Sequence, residues 1–376
     1  MNQLKWLVSL AIVACATIGV FAQAVIIDAV VTGRQIADAN GTNVAAPNKV
    51  AVTANGYVFT DISDAANERV YLADVSTTPP RITLLTDENA LRDKIDAVNG
   101  AMARPAAVSI QSVGVADDGS IILASDQSGA ESGMIFRVNP QTRNITLLAG
   151  LDGPPTQTSV EGIAFIAVRG KTIYVVLEAN FGALNGDSIA IVSVDAPDGG
   201  RTPAQEFVGE AELRNILGFT DPLAFRPVGF LPNGNLVISN SAAAAASDDI
   251  LEINTQTGAV TLLVAATDIE ADIGAADIGP NGGAVDTDGT LYLTNAFGVG
   301  DTDDGVIIVR NPGGGRGNAA MLATEAQIIA SPSIVNPAGD PITGLFIINA
   351  SAVSPRRGTV VFADGNCDCL IRIRQQ

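Results

Sequence analysis

One short pattern recurs six times along this chain of 376 residues: an apolar strand, a turn that contains glycine, and a second apolar strand that ends at or near a polar residue. The copies span residues 50–61, 112–126, 161–178, 227–240, 282–295 and 343–364. Asn-Gly and Asp-Gly sequences readily adopt the positive φ of a tight hairpin turn. Each copy is therefore predicted to be a β-hairpin.

The spacing of these hairpins predicts the architecture. The turn glycines lie on average about 60 residues apart, at Gly56, Gly119, Gly170, Gly234, Gly289 and Gly358. A repeat of that length built of strands is typical of a β-propeller. Apolar segments for two further strands follow each of the first five hairpins, so we predict an all-β, six-bladed β-propeller. Two amphipathic helices are expected between strands, at residues 87–102 and 210–217.

The last repeat is one strand short. After Asp364 the chain has a single further apolar strand, at residues 369–374, before it ends at Gln376. Residues 24–31 are apolar, rich in β-branched side chains and have no other partner in the repeat. Closing a ring with a strand from the opposite end of the chain removes exposed sheet edges. We therefore expect the N-terminal strand to complete the last blade.

The first 24 residues are predicted to be a signal peptide, and residues 25–376 to be the propeller. Residues 6–21 are apolar, and small residues at Ala22 and Ala24 suit cleavage. This run is shorter than the ~20 residues that a spanning helix needs. We expect a secreted or periplasmic protein without a membrane span after signal removal. Lipid anchoring through Cys15, which ends the sequence Ile12-Val-Ala-Cys, is the alternative.

Cys367 and Cys369 would then be the cysteines of the mature chain. In an oxidising compartment they could close a disulfide, although residues i and i+2 of a regular strand lie ~6.6 Å apart, near the limit for a bridge. A local bridge and two free thiols both remain open. With no histidine in the chain, two cysteines do not suffice for a zinc site.

Composition excludes several functions. The absence of histidine removes Ser-His-Asp and Cys-His catalysis. A formal net charge of −19 opposes binding to nucleic-acid phosphates, so no nucleic-acid partner is expected. The expected partners are a small polar molecule or an extracellular protein.

The repeat at Pro227–Asn240 and the sequence Asn281-Gly-Gly-Ala-Val-Asp-Thr-Asp-Gly289 resemble six-bladed propellers of the NHL and SMP-30/gluconolactonase type. The lactonase branch implies a divalent metal, typically Ca²⁺, in the central channel. That metal is held by a Glu in a Glu-Gly-x sequence, by Asn side chains and by an Asp that opens an inner strand. Glu161-Gly-Ile is similar to the first of these, and Asn281 is similar to another. The resemblance therefore implies Glu161 and Asn281 as metal ligands.

Hairpin geometry gathers polar residues at one end of the channel. The first residue of one antiparallel strand lies beside the last residue of its partner. Strand-opening residues, among them Thr343, should thus share one mouth with strand-ending residues. The candidate ligand-binding residues are Asn48, Gln111, Glu161, Arg226, Asn240, Asn281, Asn295 and Asp364. The alternative is that these Asp and Asn residues cap turns and bind backbone donors.

We expect an exported propeller that acts as a binding or scaffold module, for which a small polar ligand at the channel mouth is one role. No catalytic residues are predicted. The alternative is a Ca²⁺-dependent lactonase-like hydrolase, in which the metal would polarise a carbonyl group and activate water.

Overall fold

Six separate four-stranded antiparallel sheets follow one another along the chain as the blades of a β-propeller, which confirms the predicted fold. The structure is a computed structural model. It describes residues 24–64, 66–99, 108–126, 133–150, 163–177, 188–202, 204–218, 225–240, 248–275, 277–295, 304–345, 347–353 and 358–376.

The first three blades each consist of four strands that are consecutive in sequence. Blade 1 contains β2 (Pro47–Thr53), β3 (Gly56–Asp61), β4 (Arg69–Asp74) and β5 (Arg81–Asp87). Blade 2 contains β6 (Ser109–Val115), β7 (Ile121–Asp126), β8 (Met134–Val138) and β9 (Ile145–Ala149). Blade 3 contains β10 (Ile163–Arg169), β11 (Thr172–Leu177), β12 (Ser188–Ser193) and β13 (Gln205–Val208).

Blades 4 and 5 repeat this order, whereas blade 6 takes one strand from the N-terminus. Blade 4 contains β14 (Phe225–Phe230), β15 (Leu236–Asn240), β16 (Ile250–Ile253) and β17 (Val260–Val264). Blade 5 contains β18 (Pro280–Val285), β19 (Leu291–Asn295), β20 (Gly305–Val309) and β21 (Ala319–Thr324). Blade 6 contains β22 (Ile347–Val353), β23 (Thr359–Asp364), β24 (Cys369–Gln375) and β1 (Val25–Val31).

The hydrophobic core lies between the blades. Within the described residues, the buried apolar side chains form six clusters, and each cluster is shared by two neighbouring blades. Each blade therefore buries both of its faces, as the continuous Val, Ile and Leu runs of its strands require. The first strand of every blade contacts the first strands of both neighbours, so these six strands surround the central axis.

The pairing of β1 with β24 closes the ring. The strands are antiparallel, with Val25 opposite Gln375 and Val31 opposite Leu370, which confirms that the N-terminal strand completes the last blade. Val25, Ile27 and Ala29 pack on the cluster between blades 5 and 6, while Val30 and Val31 belong to the cluster between blades 6 and 1. One short strand thus joins both sides of the last blade.

Cys367 and Cys369 form a disulfide, with their Cα atoms 5.2 Å apart. They do not lie within one regular strand, because Cys367 belongs to the turn between β23 and β24 and Cys369 begins β24. Asp368 between them has a φ of 52°, in the left-handed region. Both cysteines are buried in the cluster between blades 5 and 6.

Two of the helices were predicted: α2 (Glu88–Asn99) lies within the expected 87–102, of which residues 100–102 are outside the described structure, and α3 (Glu210–Leu217) has the expected bounds. The other helices are α1 (Gly33–Asn40), α4 (Ala266–Ile273) and α5 (Glu325–Ile329). They are short, and tertiary contacts rather than a long apolar stripe fix them. Among the helices in the described ranges, none is long and apolar enough to cross a membrane.

Deleting residues 25–31 tests the ring closure. The deletion exposes the edge of β24 and uncovers two core clusters, so we expect aggregation or a fall in Tm of more than ~10 °C. The control is a chain that begins at Ala24 and keeps β1. Equal melting temperatures for the two chains would contradict closure by β1.

Candidate functional site

At the channel mouth, the pairing between the first two strands of each blade is irregular. In every blade, the pairing between the first and second strands contains a register shift. The shift lies towards the start of the first strand, which is the mouth end of the ring. The shifts lie between residues 47 and 50, 110 and 112, 163 and 165, 227 and 229, 280 and 283, and 348 and 352. The pairing between the second and third strands is regular in all six blades. Bulges free residues from the ladder and redirect their side chains.

Two positive charges meet at one aromatic ring in this mouth. Lys49, in the β2 bulge, holds its Nζ atom 5.2 Å from the centre of the Phe165 ring, although β10 belongs to blade 3. Arg226, on β14, holds its guanidinium carbon 4.3 Å from the same centre. Cations are attracted to the face of an aromatic ring within ~6 Å. Side chains from blades 1, 3 and 4 therefore converge here.

Burial and hydrogen bonds hold these cations in place. Lys49 is only 3% exposed, and its backbone N–H donates to Thr60 Oγ1 at 3.0 Å. Arg226 is half-buried and donates through Nη1 to the carbonyl oxygen of Phe225 at 3.0 Å. Next to Lys49, the Oδ1 atom of Asn48 is buried and accepts no hydrogen bond within the described part of the chain.

Glu68 adds a carboxylate near Lys49 and joins blades 1 and 2. It accepts hydrogen bonds from Ile110 N at 2.6 Å and from Ser109 Oγ at 3.1 Å. Burial raises the pKa of Glu68, whereas these hydrogen bonds and the charge of Lys49 act in the opposite direction. The blade 1 side of the mouth thus combines a buried cation with a half-buried acid.

The channel wall next to this site is apolar. A cavity of 270 Å³ lies among the first strands of blades 1 to 5. It is lined mainly by Val50, Val113, Phe165, Val228 and neighbouring small or apolar residues. A ligand in this cavity would have its polar part at the mouth and its apolar part along the channel.

Three of the strand-opening candidates, Asn48, Gln111 and Asn281, lie in bulges, whereas Arg226 is paired with Ser239 before the β14 bulge. Gln111 lies in the β6 bulge and donates through Nε2 to Ser109 Oγ at 3.1 Å. Asn281 lies in the β18 bulge. Glu161 lies outside the described residues, so its role as a ligand stays a prediction. The expectation for Thr343 is wrong: it is exposed and precedes β22, which begins at Ile347.

The strand-ending candidates Asn240, Asn295 and Asp364 are completely buried. Asn295 Oδ1 accepts from the backbone N–H of Gly279 at 2.7 Å, and Asp364 Oδ1 accepts from the backbone N–H of Cys367 at 2.9 Å. Asp61 makes the same kind of contact as Asn295: its Oδ1 atom accepts a hydrogen bond from the backbone N–H of Ala46 at 2.7 Å. These three oxygens bind backbone donors at strand connections. Asn240 is joined to its blade through its backbone N–H, which donates to Asp249 O at 2.9 Å.

Sequence reasoning missed Lys49 and Phe165. The bulge of β2 changes which side of the strand each residue occupies, so alternation in the sequence does not identify Lys49. One signal was present: the chain has only four lysines, and Lys49 directly follows the candidate residue Asn48. Phe165 gave no such signal, because an aromatic residue is ordinary in a buried strand.

A second polar cluster lies at the same end of the ring, between blades 4 and 5. Asp248 is 4% exposed, and burial together with Asp277, Glu270 and Asp249 raises its pKa to about 7. The Oδ1 atom of Asp277 is buried without a hydrogen bond in the described structure. Nevertheless, no three His, Cys, Asp or Glu side chains in the described ranges are arranged to hold a metal ion.

Comparisons with known proteins give similarity only at the level of solved structures. The chain matches no protein-family model and no curated protein. A calcium-binding protein, regucalcin, from Agrobacterium tumefaciens is 12% identical over 88% of this chain and 89% of its own, with a TM-score of 0.49. Oligogalacturonate lyase from Vibrio parahaemolyticus is 9% identical over 94% and 98% of the two chains, with a TM-score of 0.48.

TolB from Acinetobacter baumannii is 11% identical over 88% of this chain, with a TM-score of 0.44. The present chain spans 63% of that TolB chain. The assignment of a propeller rests on the six sheets and their order.

The raised pKa of Asp248 predicts that the free energy of unfolding depends on pH. Its pKa is raised in the folded state to about 7 from 3.8, so the folded state binds the proton more tightly than the unfolded state. Stability is therefore lost as the pH rises from about 4 to 7, and the full cost is present above pH 7. We expect Asp248→Asn to raise Tm by roughly 2–5 °C at pH 8 and to change it much less at pH 4.5.

Thermal melts of the wild type and the variant across this pH range measure the effect. Asp117→Asn is the control, because Asp117 is an exposed acid in the β6–β7 turn. A Tm difference between Asp248→Asn and the wild type that does not vary with pH would contradict the prediction.

Proposed function

We propose that this protein is an exported binding module that takes a small ligand with an anionic group at the channel mouth. The observation that carries the proposal is the convergence of Lys49 and Arg226 on Phe165. A narrow apolar cavity concentrates the field of such charges, because its walls have a low dielectric constant. The favoured ligand is therefore a small carboxylate with an apolar body.

The cavity supports the apolar part of this ligand. Val50, Val113 and Val228 line it together with Phe165, the ring against which both cations lie. Each buried methylene group contributes about 0.8 kcal/mol of transfer free energy. A ligand with a short aliphatic chain would gain affinity from the channel and orientation from Lys49 and Arg226.

Two features support export. The N-terminal 24 residues have the composition of a signal peptide, and cleavage after Ala22 or Ala24 would leave β1 intact. The bond between Cys367 and Cys369 suits an oxidising compartment, where disulfides persist. Secretion or periplasmic localisation therefore remains our proposal.

The lactonase alternative depends on Ca²⁺ bound by Glu161 and Asn281. Asn281 belongs to the β18 bulge, and the other ligands would come from the same mouth. Lys49 and Arg226 contribute two positive charges to that mouth, and like charges repel a divalent cation most strongly where the dielectric constant is low. We therefore rank a binding module above a metal-dependent hydrolase.

Hexanoate and hexanol test the proposed site as a pair that differs in charge. We expect hexanoate to raise Tm in a saturable manner by roughly 2–4 °C, and hexanol to have little effect at equal concentration. Arg226→Gln removes one charge-assisted hydrogen-bond donor and should weaken hexanoate binding about tenfold in isothermal titration calorimetry.

Lys171→Gln is the matched control, since the side chain of Lys171 is 81% exposed and lies in the β10–β11 turn, away from the mouth. It should bind hexanoate as the wild type does. Equal stabilisation by hexanol, or full hexanoate affinity in Arg226→Gln, would refute an anion site at the mouth.

A melt with Ca²⁺ against a chelator tests the alternative. A ligand that binds the native state stabilises it by mass action, so a calcium site would raise Tm. We expect a shift below ~1 °C in the wild type, because two cations occupy the mouth. A larger shift that disappears in Glu161→Gln and persists in the exposed control Glu212→Gln would favour the lactonase instead.

A further inference from the structure

The hairpin-turn end of the ring, opposite the mouth, has pockets at the seams between blades. Three of them are described: one between blades 1 and 2, one between blades 5 and 6, and one between blades 6 and 1, with volumes of 340, 600 and 380 Å³. The turn between the first and second strands contributes to each, as the repeat requires. These pockets have similar backbones and different side chains, so they can be compared directly.

Their charges differ. Asp74 and Arg81 line the pocket between blades 1 and 2. Asp286, Asp288 and Arg310 line the pocket between blades 5 and 6.

The pocket between blades 6 and 1 has two charged residues in its lining, Arg372 and Arg374. We call it the closure pocket, because β24 forms part of it. Of the three described seam pockets, it alone is lined by more basic than acidic residues.

One carboxylate serves both arginines. Asp28 on β1 lies directly opposite Arg372 and accepts from its Nε at 3.0 Å and from its Nη2 at 2.5 Å. Arg374 lies opposite Ile26 instead, and reaches Asp28 only through Nη2 at 3.2 Å. The group therefore carries a net charge of about +1, in a chain whose formal charge is −19.

Arg374 is the arginine with remaining donor capacity. Its side chain is 32% exposed, and its Nε atom is buried without a hydrogen bond in the described structure. On its other side, β23 presents Thr359, which lies directly opposite Arg374. Asn55, from the β2–β3 turn of blade 1, lines the facing wall. Residues with guanidinium, hydroxyl and amide groups thus line the pocket from three separate elements: β24, β23 and the β2–β3 turn.

We propose that the closure pocket binds a phosphate or sulfate group, held by Arg374 with Thr359 and Asn55. A guanidinium offers paired N–H donors that match two oxygens of such a group. Donors supplied by three separate elements could surround the several oxygens of a tetrahedral oxyanion, whereas a planar carboxylate has only two oxygens to bind. The group could be a free ion or an ester on a small molecule, and both present the same oxygens.

Calorimetric titrations with inorganic sulfate, inorganic phosphate, glucose 6-phosphate and acetate, at constant ionic strength, test this site. We expect saturable binding of sulfate and phosphate, about tenfold weaker or absent in Arg374→Gln. Tighter binding of glucose 6-phosphate than of phosphate would identify an ester as the ligand, and equal or weaker binding would identify the free ion. Acetate binding as tight as that of sulfate would overturn the assignment to a tetrahedral oxyanion.

Arg310→Gln is the matched control, because Arg310 occupies the seam pocket that also holds Asp286 and Asp288. This variant should keep wild-type affinity for sulfate. Equal losses in the two glutamine variants, or no saturable binding to the wild type, would overturn the proposal.

Arg374→Lys serves if Arg374→Gln does not fold. Lysine keeps the positive charge and loses the planar pair of donors, so we expect sulfate affinity to fall about threefold to tenfold. Unchanged affinity in the folded Arg374→Lys variant would refute recognition by the guanidinium.

Discussion

Burial of both faces of every blade is the constraint on which this structure depends. A four-stranded sheet of Val, Ile and Leu is stable in water only if each face packs on another sheet. Here each face packs on a neighbouring blade, and the six apolar clusters lie at the six seams. Such a chain of sheets has no stable open end. The pairing of β1 with β24 supplies the last edge and makes all the seams equivalent.

This constraint limits where function can reside. The middle of each strand must be apolar, which leaves the bulged mouth and the turn end of the seams for polar chemistry. Regular pairing of the second and third strands keeps the blade rigid, while the irregular first pair frees residues such as Lys49 from the ladder. The sites proposed above lie at these two ends of the ring, one at the mouth and one at the closure pocket.

The sequence was sufficient for the fold because turn glycines and strand counts are local signals. The same signals failed at Thr343, because β22 begins at Ile347, later than the apolar run suggests. They could not show that Lys49 and Arg226 meet at Phe165, because this contact joins blades 1, 3 and 4 across the ring. Bulges add to the difficulty, since a slip of one residue reverses the side that a residue faces.

In a repeat protein, comparing equivalent positions in different blades separates polar residues that the fold requires from those that serve a function. Asp61 and Asn295 end equivalent strands, and each binds the backbone N–H of the residue before the neighbouring first strand. A role that recurs in two blades is explained by the repeat itself. Arg374 differs: the pocket between blades 5 and 6 is lined by one basic residue and two acids, whereas the closure pocket is lined by two arginines that share the carboxylate of Asp28. Asp28 neutralises only one of the two guanidinium groups, so a bound anion would account for the positive charge that remains at this seam.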